Sequence, residues 1–271
     1  MANKNHKHTN EAKNIKIVFF LNLIFTIFEI IGGFYVNSVA IISDAVHDLG
    51  DTLSLGSAWY LQEKSNKPAN KTFSFGYKRL SLLSALINCI VLLIGSFFVI
   101  YTAIIRLFNP EHSDAQGMLM FAIFGILING YAAWKMSSGK TLNEKVLSWH
   151  LLEDVLGWVA VLIVAIILHF EDIQYLDPAL SLLIAIYILY NVVKNLKETL
   201  YIFLQGHPKD IDQNEIEEKI LNIKQIESLH STHIWSLDGE HHVFTTHVKL
   251  ISIVDFNEML SVKLQIKDIM K

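Results

Sequence analysis

The chain has 271 residues, of which 52% are hydrophobic and 18% charged. A soluble globular domain carries about 25% charged residues, so much of this chain is expected outside water. Net charge is −4, and residues 206–271 account for all of it with 7 Lys/Arg against 11 Asp/Glu. No basic face is available for phosphates, so nucleic acid is excluded as an expected partner. A single cysteine, Cys89, excludes a disulfide framework and a cysteine-based zinc knuckle.

Residues 1–16 are polar and lysine-rich and read as a disordered cytoplasmic arm. The apolar run that follows is too long for a signal peptide and lacks a small-residue cleavage site. Six apolar stretches come next: 17–36, 39–61, 80–105, 117–134, 146–170 and 178–193, the last continuing towards Leu204. At 1.5 Å per residue each can cross about 30 Å of hydrocarbon. Residues 17–205 therefore predict a six-helix transmembrane bundle in a lipid bilayer.

Lysine and arginine fall on alternate sides of these spans. Lys4, Lys7, Lys13 and Lys16 precede the first span. Lys64, Lys67, Lys71, Lys78 and Arg79 lie between the second and third, and Lys135, Lys140 and Lys145 between the fourth and fifth. Basic loops stay on the cytoplasmic side, so both termini are expected there, in a plasma or inner membrane.

Residues 206–271 read as a cytoplasmic domain in the order helix, strand, strand, helix. Ile216, Ile220 and Ile223 give a helical face, and Asp238-Gly239 is a hairpin turn signal between strands at 226–237 and 242–251. Met259, Val262 and Ile266 line one side of a second helix over 256–270. A third strand would complete such a sheet, so the domain is expected to lack its last strand, as in a truncated chain.

The second span carries the chemistry. Asp44, His47, Asp48 and Asp51 stand at i, i+3, i+4 and i+7, on one helix face. Each unpaired charge near the bilayer centre costs about 2.5–3.5 kcal/mol, so this face must meet water, a partner or a cation. The fifth span repeats the spacing with His150 and Asp154. Two imidazoles and two carboxylates make a tetrahedral set suited to Zn²⁺. Both aspartates lie on the cytoplasmic side of their span centres, and the spans run antiparallel, so the depths agree.

Glu29 reads either as a bundle-facing polar contact or as part of an ion path. Asn22, Asn88 and Asn129 read as hydrogen-bonding glue between helices. Asp177-Pro178 reads as the N-cap and first turn of the sixth helix. Glu153 points away from Asp154 and reads as a solvated residue. In the tail, His230 and His247 could converge across the hairpin as a weak cytoplasmic metal site.

Several segments resemble the cation diffusion facilitator family: Ser43-Asp44-Ala45-Val46-His47-Asp48-Leu49-Gly50-Asp51, Phe75-Gly76-Tyr77-Lys78-Arg79 and Ser148-Trp149-His150-Leu151-Leu152-Glu153-Asp154. So do Asp177-Pro178-Ala179-Leu180-Ser181, Gly206-His207-Pro208 and Leu229-His230-Ser231-Thr232-His233-Ile234-Trp235-Ser236-Leu237. The resemblance runs from about Ile15 to the end. It implies six transmembrane helices, a cytoplasmic α+β ferredoxin-like domain, a homodimer, and export of Zn²⁺ or similar divalent ions in exchange for protons. By that likeness His47, Asp51, His150 and Asp154 are the transport site. Loop 68–77 lacks the His or Asp that some members carry, so no metal site is expected there. The missing final strand argues against a complete dimer-bridging site.

Two other function classes remain open on the residues. An intramembrane zinc-dependent hydrolase would need an open coordination position and a general base, and no HExxH is present. A membrane metal sensor would use the tail as its output.

Overall fold

The computed structural model describes residues 2–65, 68–137, 142–252 and 255–270. Six long helices come first: α1 (Ala2–Tyr35), α2 (Val39–Ser65), α3 (Leu80–Phe108), α4 (Ala115–Ser137), α5 (Leu142–Phe170) and α6 (Leu176–Phe203). The tail adds α7 (Gln213–Leu221), β1 (Ile226–Ser236), β2 (His242–Leu250) and α8 (Phe256–Ile269). This is the helical bundle with a small α+β unit that the sequence predicts. Lys67 and Lys140, used to orient the spans, lie outside the described residues.

α1 starts at Ala2, whereas the sequence reading has an arm through residue 16. No proline or glycine interrupts residues 2–31, so the backbone ladder has nothing to stop it. Among the described residues, five helices contain stretches long and apolar enough to cross a membrane: Ile17–Tyr35, Leu80–Phe108, Ala115–Ser137, Ser148–Phe170 and Leu176–Phe203. α2, with 27 residues, has the length too. Its three aspartates on one face depress its hydropathy, which is why its role is visible only from its position.

That position is central in the helical unit, formed by Met1–Lys64 and Ser84–Leu196. On one side of α2, Ala40 and Ile41 join Phe25 of α1, Met118 and Ala122 of α4, and Trp158 and Val161 of α5 in one buried cluster. On the other side, Val39 and Ile42 pack with Val99 and Ala103 of α3 and Ala185 of α6. The outer faces stay apolar: Ile24, Ile27 and Ile31 of α1 and Ile87, Ile94 and Phe98 of α3 are exposed. Apolar bands of this extent suit hydrocarbon. α4 lies closely along α5. A Cβ on Gly125 would come within 2.1 Å of the Trp158 indole, so only glycine allows this approach.

Asp177 does not act where the local sequence places it. It sits in the first turn of α6 but caps α2. Its carboxylate accepts from Val39 N at 2.8 Å, Ala40 N at 3.2 Å and Ser38 Oγ at 2.6 Å. Ser113 Oγ donates to it at 3.3 Å. A carboxylate at a helix N-terminus satisfies orphan amides and complements the helix dipole. Of the expected asparagine contacts, Asn22 bonds α2 through Asp48 O and Thr52 Oγ1, and Asn88 donates to Ser54 Oγ. Asn129 Nδ2 is buried without a hydrogen-bond partner.

The second unit comprises Ser65–Leu83 and Lys197–Lys271. The loop between α2 and α3 thus clusters with the tail, and the division precedes the boundary at 205/206 read from the sequence. Asp212 caps α7 and Asp255 caps α8. β1 and β2 pair antiparallel, and Ile220, Ile223, Ile226 and Val262 form the buried core. Within the loop Gly76 takes φ +74°, and Phe75 meets the Trp235 ring edge-to-face at 6.2 Å. Lys78 Nζ lies 3.2 Å from His241 Nε2. The expected Asp238-Gly239 turn is present, with Gly239 at φ +98°.

Asp238 holds that turn. Its Oδ1 accepts from Glu240 N at 3.0 Å and His241 N at 2.7 Å, and its Oδ2 lies 2.9 Å from His241 Nδ1. Burial opposes ionisation, but the His241 and Glu240 amides and the His241 ring outweigh it and hold the carboxyl below its usual range.

Two outcomes follow. Asp177→Ala leaves buried donors of α2 unpaired and should cost about 1–3 kcal/mol, seen as a lower unfolding temperature in detergent. The lowered folded value for Asp238 means its contribution is complete above the unfolded carboxylate range and is lost as pH falls through the folded value. Amide exchange across 237–242, corrected for intrinsic rates, should therefore accelerate on acidification. Asp238→Ala should exchange fast at every pH.

Candidate metal centre

α2 and α5 each present a histidine and an aspartate one turn apart, and the bundle brings the two pairs together. His150 Nε2 lies 2.8 Å from Asp51 Oδ2. His47 Nε2 lies 3.4 Å from Asp154 Oδ1 and 3.6 Å from Asp51 Oδ2. The two imidazole rings meet edge-to-face with centroids 5.4 Å apart. One ligand atom from each of the four residues falls within 4.8 Å of all the others.

These spacings suit a small tetrahedral cation. Four ligands at about 2.0–2.1 Å from Zn²⁺ stand about 3.3 Å from one another. The observed 2.8, 3.4 and 3.6 Å bracket that edge. Asp154 is buried, and its Oδ1 has His47 Nε2 at 3.4 Å but no well-aligned hydrogen bond, which leaves it able to accept a cation or a proton. The other three are half-buried at the edge of a cleft of about 600 Å³. Asn88 of α3 and Tyr187, Asn191 and Asn195 of α6 also line the cleft, which gives its wall polar groups beside the cluster.

Glu153 is exposed and accepts a short hydrogen bond from Tyr187 Oη, on the rim of the same cleft. His230 and His247 are direct cross-strand partners, as the hairpin reading expects. Both are exposed, and His230 Nε2 lies 2.9 Å from Ser228 Oγ. Among the described residues no third His, Cys, Asp or Glu joins them in a metal-sized cluster. His241 is instead engaged by Asp238.

Sequence reading did not assemble a second group. Glu29 of α1 and Asp44 and Asp48 of α2 are buried, with one oxygen from each within 4.8 Å of the others. The available signal was the spacing of Asn22, Thr26 and Glu29 at i, i+4 and i+7, a polar stripe on an otherwise apolar helix.

Residues 15–204 match the cation efflux transmembrane domain. The chain is 35% identical to the cadmium, cobalt and zinc/H(+)-K(+) antiporter of Bacillus subtilis, over 89% of this chain and 80% of the relative. It is 34% identical to the metal cation efflux system protein CzcD of Cupriavidus metallidurans, over 91% and 79%. Against the zinc transporter ZitB of Escherichia coli, identity is 30% over 94% of this chain and 85% of the relative. With that match and the multi-pass helical bundle around a paired His/Asp cluster, the chain belongs to the cation efflux family of membrane transporters.

Proposed function

We propose that the protein exports Zn²⁺, and also Cd²⁺ or Co²⁺, from the cytoplasm in exchange for protons, with His47, Asp51, His150 and Asp154 as the transport site. The observation that carries this is the convergence of four ligand atoms from α2 and α5 within 4.8 Å. The relatives' names, which include zinc, cadmium and cobalt, support the ion class, and one names H(+) together with K(+) in antiport. A hydrolase is disfavoured because four protein ligands leave a tetrahedral ion no open position, and the family is one of transporters. The relatives are named as transporters, which also disfavours a sensor.

The mechanism follows from competition for the same lone pairs. A divalent ion binds when both imidazoles are neutral and both carboxylates ionised, so each bound ion displaces protons. Opened to a cytoplasm near neutrality, the set takes metal. Opened to a more acidic exterior, protons entering on the histidines release it. The two ligand pairs sit on different helices, so a shift of α5 against α2 both dismantles the set and changes its exposure. The alternation of basic loops supports cytoplasmic termini in a plasma or inner membrane. Phe256, Leu260 and Leu264, apolar and exposed on α8, support a homodimer.

Proteoliposomes with an imposed pH gradient provide the test. Asp51→Ala or Asp154→Ala should reduce Zn²⁺ flux by more than the roughly 10–100-fold that loss of a supporting hydrogen bond costs a metal site. Wild-type flux in either purified variant would remove the assignment. His47→Asp keeps a ligand one turn from Asp51 but exchanges a borderline nitrogen for a hard, charged oxygen. The ratio of initial Cd²⁺ or Mn²⁺ flux to Zn²⁺ flux should rise in that variant, and an unchanged ratio would take His47 out of the ligand set.

A further inference from the structure

We propose that Glu29, Asp44 and Asp48 form a second cation site, built of oxygen ligands alone and suited to a hard divalent ion such as Mn²⁺ or Mg²⁺. Asp44 and Asp48 project from one face of α2, and Glu29 reaches them from α1. One oxygen from each lies within 4.8 Å of the others. The three residues are 0%, 5% and 1% exposed for Glu29, Asp44 and Asp48.

The decisive observation is what these oxygens lack. Both carboxylate oxygens of Glu29, both of Asp48 and Oδ2 of Asp44 are buried and meet no donor from outside the cluster, Glu29 and Asp48 having only each other's carboxyl within hydrogen-bonding reach. Buried carboxylates normally accept several donors, because an unpaired one loses its hydration and gains nothing. Glu29 comes from a different helix and is aimed at the other two, so the three do not share a face by accident of helical spacing. A cation placed among them would supply the missing partner for all three at once.

The frame around the site holds it in shape. Asn22 Nδ2 donates to Asp48 O at 3.2 Å and to Thr52 Oγ1 at 3.1 Å, and Thr26 Oγ1 lies 3.5 Å from Thr52 Oγ1. These contacts lock the Asn22-Thr26-Glu29 stripe of α1 onto the Thr52-Asp48-Asp44 stripe of α2. The ligands are thus positioned by neighbouring bonds rather than by the ion.

The chemistry differs from that of the His/Asp set. No imidazole takes part, so the group favours ions that prefer carboxylate oxygen over those that prefer nitrogen. Three carboxylates carry up to three negative charges, enough to neutralise a divalent ion. Asp44 also lines the cleft that holds His47 and Asp154, whereas Glu29 and Asp48 lie behind it. Asp44 is therefore the entrance through which an ion reaches the inner pair. The proposal stands whether or not the His/Asp set carries transport.

The test uses the full chain in lipid nanodiscs, with Mn²⁺ as the probe and its free electron paramagnetic resonance signal as the readout. Asp154→Ala, which disrupts the His/Asp set, should still bind one Mn²⁺ per chain, without nitrogen coupling in the spectrum of the bound ion. Glu29→Gln or Asp48→Asn in that background should weaken binding by about tenfold or more, because each removes one charged ligand while keeping its shape. Three results would overturn the proposal: no Mn²⁺ bound to Asp154→Ala, which would leave protons as the neutralising partner; nitrogen coupling in the bound signal; or unchanged affinity in both folded amide variants. Should neither amide variant fold, stoichiometry and nitrogen coupling in Asp154→Ala still decide the matter.

Discussion

Placing a row of carboxylates inside a membrane helix is the constraint from which the rest of this bundle follows. On insertion scales each such charge costs about 2.5–3.5 kcal/mol near the bilayer centre. α2 carries three aspartates and a histidine on one face, and the fold turns them towards other helices or the cleft. It sits between α1, α4 and α5 on one side and α3 and α6 on the other. Asp51 meets His150, His47 lies beside Asp154, and Asp44 and Asp48 face Glu29. The one of the six long helices without a stretch of membrane-spanning hydropathy is therefore largely enclosed by the others, the reverse of the usual order in which the most apolar segment is buried deepest.

Enclosing α2 raises a second demand, because the amides at its N-terminus are buried too. Asp177 answers it from α6, accepting from two of those amides and from Ser38, while Ser113 steadies the carboxylate. One charged group thus ties α2, α6 and the segment before α4 at the same level. Nearby, Arg106 donates to Asn37 and pairs with Glu111 at 3.4 Å, a further polar clasp around the short α1–α2 turn.

What could be read from the sequence divides by range. The His/Asp pairs were legible because i, i+4 spacing is local and both helices carry it. The hairpin was legible because Asp238-Gly239 is a turn in any context. Asp177 was placed on the wrong helix end because capping rules are local, whereas its actual partners lie about 138 positions away in the chain. Membership of the 65–83 loop in the tail unit was equally hidden, since the Phe75–Trp235 contact leaves no trace in either segment alone. Glu29 stood between two readings because its partners depend on which faces of α1 and α2 meet. The stripe of Asn22, Thr26 and Glu29 carries that information only once the Thr52 contacts are known.

The tight seam between α4 and α5 has a consequence for how the metal centre reports on the protein. With the Trp158 indole seated where a side chain on Gly125 would be, α4 and α5 are in closer contact there than any side chain at that position would allow. His150 and Asp154 belong to α5 of that seam, while His47 and Asp51 belong to α2, which is bonded to α1. Neither helix supplies more than two of the four clustered ligand groups. If the set holds an ion as proposed, its affinity would follow the gap between α2 and α5, and a change of a fraction of an ångström in that gap would favour binding or release.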